Sequence, residues 1–79
     1  MKVRGGEKHT EIARIILTAA DGGRYLTVSE VHGQLSYGCA YGSLRKILKL
    51  FEDREWITKE RAGMSVLIKP NLELYARFR

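Results

Sequence analysis

Leu44, Ile47, Leu48 and Phe51 fall at i, i+3, i+4 and i+7. That spacing puts apolar side chains on one face of an α-helix. The spacing predicts a helix over about 39–54. Its opposite face is left with Tyr41, Gly42, Arg45, Lys46 and Lys49, with Ser43 near the start. A helix divided this way must lay one side on a core and turn a cationic side outward. The remaining chain has to supply the layers that cover the apolar side.

Two more helical stripes precede it. Ile12, Ile15, Ile16 and Ala19 mark a helix from about Glu7 to Ala20, widened by Ala13, Leu17 and Ala20. Asp21-Gly22-Gly23 stops it, because glycine takes the left-handed conformation of a helix end. Arg24-Tyr25-Leu26 reads as a short extended segment. Thr27-Val28-Ser29-Glu30 has the Thr-x-x-Glu form of a capping box, so a short helix starts there and ends near residues 36–38. Val28, Val31, His32 and Leu35 follow at helical spacing.

After the third helix the periodicity changes. Trp56 to Glu60 and Ser65 to Lys69 are rich in β-formers and flank Arg61-Ala62-Gly63-Met64, with Gly63 the expected positive-φ residue. These form a β-hairpin. Lys59, Arg61 and, at its exit, Lys69 make it cationic. Pro70 ends the second strand, and residues 71–78 suit a short helix. Residues 1–6 read as a flexible arm, and 7–79 as one domain.

Charge narrows the partner. The 79 residues carry 14 Lys and Arg against nine Asp and Glu, a net of +5. Residues 1–40 hold five basic and four acidic groups; residues 41–79 hold nine and five. The excess therefore sits with the third helix and the hairpin, where a polyanion such as nucleic acid is the expected partner. No apolar run approaches the roughly 20 residues that span a bilayer, so no membrane association is expected. No apolar segment follows the basic Met1–Gly6, so no secretory signal and a cytoplasmic location are expected.

The order of helix, short strand, capped short helix, turn, longer helix, hairpin and helix resembles the winged helix-turn-helix family, most strongly over residues 25–69. The run Ser43-Leu44-Arg45-Lys46-Ile47-Leu48-Lys49-Leu50-Phe51-Glu52 is similar to the family's recognition helix. Trp56-Ile57 is similar to the apolar pair that opens its wing. Glu55 stands where the family usually has glycine, so the helix exit either differs or strains at Glu55. The resemblance implies an α+β fold: a three-helix core, a hairpin wing and a short C-terminal helix. It also implies sequence-specific binding of double-stranded DNA by a transcriptional regulator.

On that reading the third helix enters the major groove, which admits a helix. Tyr41, Ser43, Arg45 and Lys46 are then candidates for base edges, and Arg45 suits a bidentate contact to guanine. Gly42 suits close approach; Tyr37, Lys49, Lys59 and Arg61 complete the expected DNA-binding set. Two alternatives belong to other classes. One is a protein-interaction winged helix in a replication, transcription or conjugation complex; the other is a plasmid or phage replication or partition protein.

Catalysis has nothing to rest on. No Ser/His/Asp set, paired-carboxylate cleft or glycine-rich phosphate loop is present. His9 and His32 lack ligand-spaced partners, so no metal and no cofactor are expected. His32 reads as a surface or half-buried residue of the second helix, open to a phosphate. Cys39 reads as a small residue filling the turn. Leu50, Leu72, Leu74, Tyr75 and Phe78 exceed what one small domain easily covers, so a homodimer is expected.

Overall fold

The computed structural model describes residues 5–36 and 38–78. Its elements, in chain order, are α1 (Gly5–Asp21), β1 (Leu26–Thr27), α2 (Val28–Gln34), α3 (Tyr41–Asp53), β2 (Ile57–Ala62), β3 (Ser65–Pro70) and α4 (Leu72–Phe78). The chain is a small α+β fold with four helices and one three-stranded antiparallel sheet among the described residues. α1 opens at Gly5, ahead of the expected start at Glu7, and residues 1–4 lie outside the described set.

β3 is the middle strand of the order β1-β3-β2. The hairpin pairs Ile57 with Pro70, Lys59 with Ile68 and Arg61 with Val66. Its turn is Gly63-Met64. Gly63 takes φ +65° and Met64 takes no positive φ, the II′ pattern with glycine first. β1 adds to the far side of β3, with Leu26 opposite Ile68 and Thr27 opposite Leu67. The extended segment thus begins at Leu26, because Leu26 and Thr27 are the residues that find ladder partners.

The capping box forms as its sequence demands. The Thr27 side chain accepts from the Glu30 N–H at 3.3 Å, and the Thr27 N–H donates to the Glu30 carboxylate at 2.9 Å. That backbone bond, followed by the nearby Arg24 charge and the Thr27 and Arg24 side-chain bonds, holds the Glu30 carboxyl below its ordinary range against some desolvation.

Ile12, Ile16, Leu44, Leu48, Phe51, Ile57, Ile68 and Leu74 are fully buried in a core shared by α1, α3, the sheet and α4. α4 packs on α1 and β3. The widened stripe of α1 is therefore covered within the chain. Leu74 is buried, and Phe78 stacks near Phe51, with ring centroids 6.1 Å apart. Most of the apolar area that argued for a homodimer is used in this way; Leu72, at 87% exposed, is not.

The exit of α3 resolves the Glu55 question. The Glu55 N–H donates to Glu52 O at 3.0 Å, and the Trp56 N–H to Phe51 O at 2.9 Å. These are the two bonds of a Schellman motif, which requires a left-handed residue between them. Glu55 supplies it, with φ +61°. The exit keeps the glycine-type geometry and the glutamate carries the strain, on the order of 1 kcal/mol.

Candidate nucleic-acid interface

α3 carries most of the candidate site. Leu44, Leu48 and Phe51 are buried and Ile47 is half-buried; Tyr41, Gly42, Ser43, Arg45, Lys46 and Lys49 are exposed on the other side. The amphipathic division read from the sequence is the one observed. Gly42 faces open space: a Cβ built there meets nothing within 4 Å. No internal packing explains this glycine.

The start of α3 is open as well. Ala40 occupies its N-cap position and makes no side-chain cap, and the first turn holds no acidic residue. The first-turn amides have no intrahelical acceptor, so they add partial positive charge to the same end. α2 differs, since its first turn is closed by Thr27 and Glu30. The connection between the two helices is held from both sides. His32 Nε2 donates to Cys39 O at 2.7 Å, and its ring meets the edge of Tyr41, with centroids 5.6 Å apart. The Glu11 carboxylate accepts from the Ser36 N–H at 3.3 Å and from the Ser36 hydroxyl. The Nε2 of His32 is thus taken up inside the turn, where it positions Tyr41. Cys39 is half-buried against the core, consistent with filling the turn. Tyr37 lies outside the described residues.

The hairpin completes the site through its register. Residues directly opposite on paired strands share a face. Lys59, Arg61, Val66 and Ile68 therefore lie on the face that holds Ile57, toward α3. Lys69 pairs with Thr58 and lies on the other face. The three hairpin cations split accordingly: Lys59 lies beside α3, Arg61 shares its face nearer the tip and lines neither trough, and Lys69 is on the opposite face. The sequence alone shows Lys59 and Arg61 near the turn and Lys69 at the hairpin exit; period-two alternation is the signal that separates their faces.

Gly42, Arg45, Lys46, Lys49 and Lys59 line an open trough of about 410 Å³ between α3 and β2. Every charged residue lining it is a cation. Lys59 lies 3.7 Å from Glu52 and Lys49 3.4 Å from Asp53, both loose pairs at the surface. Arg45, Lys46 and Arg61 have no ion pair among the described residues. A second trough of about 430 Å³ continues from the first through Arg45 and Lys59. It is bounded by the start of α2 (Thr27 to Ser29), by Tyr41, and by Met64 to Val66 at the hairpin tip. Thr27, Ser29, Met64 and Val66 were not legible as site residues, because only the β1-β3-β2 sheet brings α2 and the tip together.

The described residues contain no group of three or more His, Cys, Asp or Glu side chains able to hold a metal. No described helix is long and apolar enough to cross a membrane.

No protein-family model matches the sequence, and no curated protein does. Among solved structures, the crystal structure of AF1382 from Archaeoglobus fulgidus is similar, with a TM-score of 0.75 at 21% identity. The match covers 85% of this chain and 71% of that one. At this identity the likeness concerns the fold alone.

Proposed function

We propose that this chain is a winged helix-turn-helix protein that binds double-stranded DNA sequence-specifically, as a transcriptional regulator. α2 and α3 form the helix-turn-helix, and the β2-β3 hairpin is the wing. The observation that carries the reading is the trough in which Arg45, Lys46, Lys49 and Lys59 converge around a side-chain-free Gly42. A polyanionic backbone neutralises such a set, and a helix with an open, uncapped start suits entry into the major groove. Arg45 and Tyr41 meet base edges; Lys46, Lys49, Lys59 and Arg61 meet phosphates.

Binding to sequences selected in vitro from random DNA, followed across a salt titration, tests this. Log affinity is expected to fall steeply with log salt. Arg45→Ala is expected to cost about 1–3 kcal/mol on the best site and much less on random DNA. Arg61→Ala is expected to weaken both alike and lower the salt slope by about one unit. A flat salt response, or an unchanged specificity ratio in Arg45→Ala, removes the reading and favours an acidic protein partner for the same face. Gly42→Ala adds a second check. It is expected to stabilise α3 by roughly 0.5–1 kcal/mol, since nothing inside the chain obstructs the new methyl. It is expected to weaken DNA binding, because the methyl enters the space DNA occupies. Stronger or equal binding by this variant sinks the close-approach role.

A further inference from the structure

Met64 is an apolar side chain at the very tip of the hairpin, at 104% of its reference exposure. Neither the fold nor the turn accounts for it. The II′ turn is satisfied by Gly63, and position 64 ordinarily suits a small polar residue. The side chain buries nothing inside the chain, so its apolar surface is open to a partner.

Its placement says what. Met64, Ser65 and Val66 line the second trough together with Tyr41, Arg45, Lys59 and the start of α2. Both charged residues that line it, Arg45 and Lys59, are cations. One phosphodiester strand fits such a trough, its phosphates on Lys59 and its sugars against Val66 and Met64, with Arg45 reaching past it to the base edges. In B-DNA a single strand separates the major groove from the minor groove. With α3 on one side of that strand, the hairpin tip lies on the other, at the minor groove.

We propose that Met64 is an apolar wedge that enters the minor groove and unstacks a base step, kinking the duplex away from itself. Methionine is among the side chains that perform such insertion, and kinks of about 20–90° accompany it. The step most easily opened is a pyrimidine–purine step such as TA, so the preferred site is expected to carry one at a position no polar side chain contacts. This deepens the DNA reading and rests on it.

The test measures end-to-end energy transfer in a doubly labelled duplex carrying the selected site, with the full chain bound at low salt. The wild type is expected to shorten the end-to-end distance. Met64→Ser is expected to bind about tenfold more weakly and leave the duplex straight, since the wedge's apolar burial is lost. Met64→Leu is expected to restore both. Neither substitution touches the core, and circular dichroism confirms the fold. If the wild type binds without bending, or Met64→Ser bends as much as the wild type, the wedge is overturned and the DNA reading stands. If no variant binds DNA in a salt-dependent way, both fall.

Discussion

The ends of α1 and α3 follow the same backbone path with different residues. At the end of α1 the Gly23 N–H donates to Ala20 O at 2.9 Å and the Arg24 N–H to Ala19 O at 2.9 Å. At the end of α3 the Glu55 and Trp56 N–H groups make the equivalent pair to Glu52 and Phe51. The left-handed residue is Gly23, φ +82°, in one and Glu55, φ +61°, in the other. The residue after it is exposed Arg24 in one and buried Trp56 in the other. Glycine makes the first exit nearly strain-free, and the residue after it makes only an exposed ion pair, Arg24 with Glu30. The second exit is strained and strongly held. Trp56 lies 5.2 Å from Phe51 and 5.5 Å from Phe78, and the guanidinium groups of Arg54 and Arg77 sit 5.4 and 5.1 Å from its ring centre. The Asn71 side chain donates to Glu55 O at 2.9 Å and accepts from the Thr58 hydroxyl at 3.0 Å. Aromatic burial worth several kcal/mol outweighs a strain of about one. This matters for the site, because the exit of α3 sets the direction in which the hairpin leaves, and so the width of the troughs.

Removing the anchor should break the comparison most. Trp56→Ala is expected to lower stability by about 3–5 kcal/mol, read by denaturant unfolding, and, under the proposed function, to weaken binding through the displaced hairpin. A loss below that of an ordinary surface change removes the claim that the aromatic cluster holds the exit. Asn71→Ala comes next, at about 1–2 kcal/mol, for the lost bonds to Glu55 O and Thr58. In a Glu55→Gly background its cost is expected to shrink, since glycine needs less holding there; strict additivity argues that Asn71 acts elsewhere. The smallest effects come from exchanging the two left-handed residues. Gly23→Ala is expected to destabilise by about 1 kcal/mol, and Glu55→Gly to stabilise by roughly 0.5 kcal/mol, in thermal unfolding. Opposite signs sharpen the comparison; equal signs break it.

Some of this was legible because it is local. Thr27 and Glu30 are three residues apart, so the capping box needs no tertiary contact to be recognised. The four apolar residues of α3 and the Gly63 turn are likewise written at short range. Arg45, Lys46 and Lys49 followed directly from the period of α3, since the residues that are not inward on a helix are outward.

What lay beyond the sequence depends on residues far apart in the chain. Thr58 and Asn71 are 13 residues apart, and Glu11 and Ser36 are 25. No local pattern announces either bond. The covering of α1 by α4 has the same character: Leu74 and Phe78 read as surplus until the chain folds back on itself. The departure at Glu55 was visible, but its outcome was decided by Trp56, Phe51 and Asn71 acting together. Local periodicity determined the elements and the cationic face of α3, because helix and strand periods are short-range geometry. The tertiary structure decided which hairpin cations join that face, and which strained residue the fold can hold, because strand register and core packing are set by contacts between distant segments.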